Sequence, residues 1–431
     1  MTDPKTKKRI VGLLAALALC VCALAVALYA SGALNAGTAD STSTEPSRTE
    51  LEVTDAPVLT SSVVVVDADS SSTNDSGALA DPLSSEVESK LASMTLEQKV
   101  AQMFIVRPEA YTGTDLVLDA ESMTVDGLQN CPVGGFLYLG VNLADADQTS
   151  SMLAATQQLS QDAIGLPMFL CVDEEGGTVL RIGDNPGFSI AGEGDMRAIG
   201  DSGDTAAAYD SAYRMGSYLA ELGFTVDFAP VADVVNGESD TMALRSFGTS
   251  SSVVAPMVAA QVLGFSDAGM LCCVKHFPGI GGAEGDSHDD EIYSYKTIDE
   301  LYQDELIPFQ AAIEEGVPFV MVGHLNLPSI ADSGLPASLS PEVVTGLLRE
   351  DLGYEGLIVT DSLGMGAVYG RSAPGEIAVM AIEAGNDLLL VPYDFYESYG
   401  SVLDAVYSGR ISEDRIDESV RRILKTKLGR M

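Results

Sequence analysis

Short apolar runs alternate with amphipathic stretches along the chain from about Pro82 to its last residue. Eight of these runs are almost continuously hydrophobic, which is typical of strands buried on both faces. The pattern therefore predicts eight buried strands. They are Met103–Val106, Gly135–Leu139, Met168–Val172, Thr225–Pro230, Leu271–Val274, Pro318–Val322, Gly356–Val359 and Asp387–Val391.

Helical periodicity separates most of the predicted strands. Thr95 and Gln98 predict a capping box that starts a helix just before the first strand. The last helix is predicted over Ser412–Leu428, with an end at Gly429. Further helices are predicted at Gln148–Ala163, Thr205–Leu222, Val253–Phe265, Ile298–Glu315 and Pro341–Asp351.

Eight strands that alternate with helices over about 350 residues predict an α/β fold, a (β/α)8 TIM-type barrel. An open, doubly wound sheet is the alternative. Its dinucleotide-binding form would carry a GxGxxG motif after the first strand, and the sequence has none at that place.

The N-terminus has the pattern of a membrane anchor. Four basic residues between Lys5 and Arg9 precede an unbroken apolar run, Ile10–Tyr29. Its length matches the roughly 20 residues that cross a bilayer. The basic flank should stay in the cytoplasm, which places the rest of the chain outside it. A cleaved signal peptide, with secretion of the chain, is the alternative.

Composition changes after this segment. Residues 31–81 are rich in Ser, Thr, Asp, Ala and Gly and contain no aromatic residue. Such a composition cannot bury a core and predicts a flexible tether. We therefore expect a membrane anchor or signal segment at 1–30, a linker at 31–81 and a catalytic barrel at 82–431.

The net charge of −40 argues against nucleic-acid binding, which needs clustered Lys and Arg. None of the six Cys forms a CxxC pair, and the sequence shows no pattern of metal ligands. We expect no metal, no cofactor and a monomer. Four Cys outside the N-terminal segment should be buried free thiols: Cys131, Cys171, Cys272 and Cys273.

Polar residues follow several of the predicted strands directly. Asp173 follows the third, Lys275 and His276 the fifth, His324 the sixth and Asp361 the seventh. In a barrel these places share the C-terminal rim, where active sites of such barrels lie.

A Gly-rich segment continues from Lys275 to His288. It carries Asp286 two residues before His288. An Asp beside a His can fix the tautomer of the ring and raise its basicity, as in a general acid/base. A surface loop in which Asp286 makes an Asx turn is the alternative.

Asp361 ends a predicted buried strand, a place where a carboxylate is costly unless it is paired or functional. A helix N-cap is its alternative role. One carboxylate and one Asp–His pair are compatible with glycosidic chemistry, but these residues alone do not name a substrate.

Several motifs in order resemble those of the single-domain β-N-acetylhexosaminidases of glycoside hydrolase family 3. The family signature Lys-His-Phe-Pro-Gly-His-Gly, four residues, Asp-Ser-His is matched from Lys275 to His288, with Ile280 in place of the second His. The similarity runs from about Thr95 to Gly429. The other matching motifs are Asp173-Glu-Glu-Gly-Gly with Arg181, Phe228–Asp233, Arg245-Ser-Phe-Gly and Thr360–Ala367.

The resemblance implies roles for these residues. Asp361 would be the nucleophile, and His288, supported by Asp286, the general acid/base. Met365 would supply an apolar wall, whereas Asp233 is expected to be structural and the role of His324 stays open. The residues expected to hold the sugar are Asp173, Arg181, Arg245, Lys275 and His276.

The implied activity is that of a retaining β-N-acetylglucosaminidase, which removes terminal β-linked N-acetylglucosamine through a covalent glycosyl–Asp intermediate. Its carbohydrate substrate would be a glycan or a muropeptide from peptidoglycan turnover. A β-N-acetylglucosaminide phosphorylase and a non-catalytic glycan-binding surface protein are the alternatives.

Overall fold

The computed structural model describes residues 81–235, 242–283, 291–331 and 334–431. The expected anchor, nearly all of the expected linker, and the Asp286–His288 pair lie outside these residues. Within the described ranges, no helix combines the length and the apolar character that crossing a bilayer requires.

Each of the eight predicted strands overlaps an observed strand, and the described structure adds two short strands, β6 and β8. The strands are β1 Phe104–Val106, β2 Gly135–Leu137, β3 Phe169–Val172, β4 Val226–Asp227, β5 Leu271–Phe277, β6 Ile292–Tyr293, β7 Phe319–Val322, β8 Leu325–Asn326, β9 Leu357–Thr360 and β10 Leu389–Leu390.

The sheet is parallel, and its strand order is β10-β1-β2-β3-β4-β5-β7-β9. A parallel bridge between Val359 and Leu388 brings its two end strands together. The Thr360 N–H also donates to the Leu388 carbonyl at 3.1 Å. The sheet therefore returns on itself as a nearly closed barrel, which excludes the open doubly wound alternative. β6 and β8 form a separate parallel pair.

Helices surround the barrel and connect its strands. The Thr95–Gln98 capping box is present, with both of its hydrogen bonds formed. The α-helices are Pro82–Ser93, Leu96–Gln102, Pro108–Thr112, Val125–Asn130, Ala146–Ile164, Met196–Ser202, Thr205–Leu222, Ser251–Asp267, Ile298–Gln303, Leu306–Glu314, Pro374–Ala384, Phe395–Tyr407 and Glu413–Arg430, and Glu342–Asp351 is a π-helix.

One predicted helix, Ile298–Glu315, is two helices with a break at Asp304. Pro308 lacks an N–H and so cannot donate to the carbonyl four residues earlier, which is that of Asp304. The side chain of Asp304 also contacts a neighbouring helix. Its carboxylate accepts the backbone N–H of Ser251, at the start of that helix, at 3.0 Å.

The predicted end of the last helix at Gly429 is wrong, because the helix continues to Arg430. A Cβ atom at Gly429 would lie 2.9 Å from a methyl group of Leu83. The glycine thus allows the first and last described helices to pack closely, and it does not act as a helix end.

The N-terminal end of the barrel holds buried charges of its own. The Lys427 ammonium donates to the Gln102 side chain and to the Gly134 carbonyl, both at 2.9 Å. Burial lowers the pKa of Lys427 to about 7. Two residues before β10, Asp387 is fully buried and pairs with Arg349 at 2.7 Å. These contacts fix helices to the end of the barrel opposite the predicted site.

Four free thiols lie in the described part of the chain. Cys171, Cys272 and Cys273 are buried as expected, but Cys131 is only half-buried.

Candidate active site

The parallel strands bring the predicted polar residues to one rim of the barrel. Asp173 directly follows β3, and Asp361 directly follows β9. Lys275 and His276 lie in the last part of β5, which is longer than its predicted apolar run. Since the carboxyl ends of parallel strands share one end of a barrel, residues 188 positions apart meet in one site.

An ionic cluster lies at the centre of this rim. The Lys275 ammonium contacts Asp173 at 2.9 Å and Glu175 at 2.6 Å. The Arg245 guanidinium makes two hydrogen bonds to the Glu175 carboxylate, at 2.7 and 2.8 Å. We call these four residues the rim cluster; each cation in it has a carboxylate partner, which buried charges require.

Mutual pairing keeps the rim cluster charged. Burial by itself would raise the pKa of Glu175, but Lys275 and Arg245 lower it to about 2. Burial likewise opposes the charge on Lys275 and Arg245, and the neighbouring carboxylates nevertheless raise the pKa of both. The Asp173 side chain is 19% exposed against 2% for Glu175, so Asp173 is the carboxylate that a ligand can reach.

His276 is held by a fully buried carboxylate. One oxygen of Asp233 accepts two hydrogen bonds from His276, from the ring Nδ1 at 2.8 Å and from the backbone N–H at 3.2 Å. The other oxygen of Asp233 accepts the N–H of Ile280 at 2.7 Å. Asp233 therefore fixes both the ring orientation of His276 and the start of the Gly-rich segment.

The contact of Ile280 with Asp233 uses only its backbone. Ile280 stands where the family signature has a His. Its backbone N–H makes the hydrogen bond to Asp233, and its apolar side chain is buried.

Asp361 is held at the rim by backbone groups. Its own N–H donates to the Val322 carbonyl at 2.9 Å, and its carboxylate accepts the N–H of Ser362 at 2.7 Å. Burial would raise the pKa of Asp361, but His276 and His324, together with that hydrogen bond, lower it below its ordinary value. A half-buried carboxylate whose pKa is lowered is suited to nucleophilic attack.

His324 orients a neighbour of the nucleophile candidate. Its Nδ1 lies 2.7 Å from the Ser338 hydroxyl, and its Nε2 lies 2.9 Å from the Ser362 carbonyl. Both ring nitrogens are thus engaged in positioning the turn that follows Asp361.

The remaining predicted site residues are placed less directly. Arg181 is half-buried, and its Cδ would lie 3.6 Å from a Cβ atom at Gly140, just beyond β2. Met365 is buried in the turn after Asp361. Among the described residues, the hydrogen bonds of Arg181 do not join it to the rim cluster.

Sequence reasoning singled out neither acid that follows Asp173. Glu175 is the centre of the rim cluster, as the contacts above show. Glu174 is fully buried and accepts the N–H groups of Arg181, Ile182 and Gly183 within 3.0 Å. The sequence does carry a signal for both residues. Two adjacent glutamates close to the end of a buried strand must each find hydrogen-bond donors, which predicts that they are paired inside the protein.

Comparison with known proteins identifies the family of the chain. Residues 95–426 match the model of the glycosyl hydrolase family 3 N terminal domain. The chain is 33% identical to beta-hexosaminidase LpqI of Mycobacterium tuberculosis over 78% of this chain and 84% of that protein. It is 32% identical to beta-hexosaminidase A of Pseudoalteromonas piscicida over 69% of this chain, but that match spans only 54% of the relative.

A solved structure shows the same architecture. The family 3 beta-N-acetylglucosaminidase of a Paenibacillus species superposes with a TM-score of 0.73 at 37% identity. The match covers 78% of this chain and 63% of that one.

The charge relation between the two His residues and Asp361 gives a test. Replacement His276→Gln should raise the pKa of Asp361, because burial of the carboxylate is then less opposed. The nucleophile is active when ionised, so the acidic limb of the pH profile of kcat/KM should move to higher pH. His324→Gln should move it in the same direction.

Asp227→Asn is the control. Asp227 is a buried carboxyl, and none of its hydrogen bonds in the described structure involves Asp361. The side-chain oxygen of the introduced Asn can still accept the Glu174 N–H. An acidic limb that stays in place in both His variants would show that these rings do not set the charge of Asp361.

Proposed function

The chain belongs to glycosyl hydrolase family 3, and from this we propose that it is a retaining β-N-acetylglucosaminidase. The observation that carries the proposal is the place of Asp361, a half-buried carboxylate directly after β9, at the same rim as the rim cluster. Relatives at 32–37% identity whose names are beta-hexosaminidase or beta-N-acetylglucosaminidase support the choice of sugar.

In the proposed first step, the Asp361 carboxylate attacks the anomeric carbon and the leaving-group oxygen departs with a proton. A covalent glycosyl–Asp361 ester forms, and attack by water then releases the sugar with its β configuration retained. Lys275 and Asp173 contact the sugar hydroxyls as donor and acceptor. Arg181 and Arg245 add donors around the sugar, and Met365 adds an apolar surface.

His276 has a defined orientation in this proposal. Since its Nδ1 edge is engaged by Asp233, the Nε2 edge is the one directed to substrate. This arrangement resembles the way a buried Asp orients a catalytic His ring.

The proton is assigned to His288, with Asp286 as its charged partner. Both residues lie outside the described part of the chain, so the assignment rests on the match of the segment from Lys275 to His288 to the family signature. The segment resumes in the described structure at Glu291, which pairs with Arg371 at 2.8 Å.

We also propose an extracytoplasmic location, with Ile10–Tyr29 as an uncleaved membrane anchor. This rests on the basic flank and on the length of the apolar run. Muropeptides are then the first candidate substrates, because the barrel would face the cell wall. Recovery of a secreted chain that begins near Ser31 would instead identify a cleaved signal peptide.

Product analysis tests the activity. We expect a fresh digest of an aryl N-acetyl-β-glucosaminide, whose leaving group has no anomeric carbon, to show β-N-acetylglucosamine first in proton NMR, with the same products when phosphate is added. An initial α-anomer would contradict the retaining mechanism. Formation of N-acetylglucosamine 1-phosphate in the phosphate-containing digest would identify a phosphorylase.

A second prediction concerns His288. A poor leaving group such as a sugar alkoxide needs a proton, whereas dinitrophenolate leaves without help. His288→Ala should therefore slow hydrolysis of a disaccharide by about 10² to 10⁴ and largely spare glycosyl-enzyme formation from a dinitrophenyl glycoside. Since the same His activates water, stopped-flow absorbance should show a burst of phenolate.

Asp286→Asn should give a milder version of this loss, because the ring remains and only its charged partner is removed. Equal losses of His288→Ala on both substrates, without a burst, would assign the proton transfer to another group.

A further inference from the structure

Two half-exposed tyrosines stack against each other beside the candidate site. The ring centroids of Tyr369 and Tyr393 are 4.0 Å apart, and the planes are inclined by 20°. Their residues are 46% and 59% exposed. Each ring covers one face of its partner, so the pair leaves aromatic surface open to solvent.

The backbone places this tyrosine pair next to the turn that carries Asp361. Tyr393 follows β10, and the neighbouring strand β9 ends at that turn, where the Leu363 N–H donates to the Leu390 carbonyl at 2.9 Å. A Cβ atom at Gly364 would lie 4.0 Å from the Tyr393 Cα. Tyr369 lies in the same connection as Asp361, eight residues later.

The segments that hold the pair are tied down. Arg371 donates to the Ala367 carbonyl at 3.0 Å and to the Asn326 side chain at 2.8 Å. The backbone N–H of Tyr369 donates to the Met365 carbonyl at 2.8 Å. An aromatic surface on such a support loses little conformational freedom when a ligand binds.

An unusual backbone conformation precedes Tyr393. Val391 has a φ of 41°, in the left-handed region that β-branched residues avoid. Its N–H nevertheless donates to the Ile105 carbonyl at 2.7 Å, within the barrel. Strain of this kind persists where the surrounding structure enforces it, and it is concentrated at functional sites.

We propose that the Tyr369–Tyr393 pair binds the sugar ring of the leaving group, the part of the substrate beyond the bond that is cleaved. The inference rests on the proposed glycosidase function. The leaving group must extend from the anomeric carbon above Asp361 toward solvent, and the tyrosine pair is exposed to solvent beside the turn that carries Asp361. The electron-rich face of an aromatic ring attracts the polarised C–H groups on the flat face of a pyranose.

A second contact ties the described residues after the Gly-rich segment to the connection that carries Tyr369. Arg371, two residues beyond Tyr369, pairs with Glu291 at 2.8 Å. Glu291 is three residues beyond the proposed acid/base His288.

The test compares two substrates that share the sugar to be transferred and differ in the leaving group. One is N,N′-diacetylchitobiose, whose leaving group is a sugar, and the other is N-acetylglucosaminyl β-fluoride, whose leaving group has no ring. Tyr369→Ala and Tyr393→Ala should each lower kcat/KM on the disaccharide by about tenfold, mainly through KM. The value on the fluoride should change by less than about twofold.

Two further variants control the comparison. Tyr393→Phe keeps the aromatic ring, so this variant should hydrolyse the disaccharide with nearly the native kcat/KM. Tyr407 is 64% exposed and its hydroxyl donates to Glu97, in the helix before β1 at the other end of the barrel. Tyr407→Ala should therefore leave both substrates unaffected.

Equal losses on both substrates, or no loss on the disaccharide, would overturn the assignment of the tyrosine pair. Native protein that releases neither fluoride nor N-acetylglucosamine would overturn the proposed glycosidase function itself, and the leaving-group site with it.

Discussion

The site depends on one requirement, which is that every charge buried at the C-terminal rim of the barrel has a partner. Removing an ammonium or a carboxylate from water costs several kcal/mol, and only a close opposite charge with good geometry offsets it. Lys275 meets this requirement through Asp173 and Glu175, and Arg245 through Glu175. The partners come from the ends of different strands and from a distant loop. The barrel fold and the charge pairing therefore support each other.

Local partners also decide which buried carboxylates stay ionised. Burial and the nearby Glu174 carboxylate raise the pKa of Asp227 well above its ordinary value. Asp361 is half-buried, and the two His rings and the Ser362 N–H lower its pKa. Local partners thus leave Asp227 suited to remain neutral as a structural acceptor for the Glu174 N–H and leave Asp361 suited to act as a nucleophile.

The strands and their polar ends could be predicted from the sequence because both are local signals. Apolar runs marked all eight barrel strands, and Asp173, Lys275, His276 and Asp361 followed from their places at strand ends. The Arg245–Glu175 pair joins residues 70 positions apart, and no local pattern gives their distance. A tertiary contact likewise decides the continuation of the last helix through Gly429, whereas the break at Asp304 follows from Pro308, a local signal that the prediction of one helix left out. For Asp286 and His288, the signature match remains the basis of the assignment.

The most direct test of the central claim is to identify the residue that forms the covalent intermediate. The protein would be incubated with a fluorinated N-acetylglucosaminyl fluoride that slows the second step, then digested and analysed by peptide mass spectrometry. We predict one fluoro-sugar on the peptide that contains Asp361, and no label in the Asp361→Ala variant. A label on another carboxylate, or continued turnover in Asp361→Ala, would contradict the account.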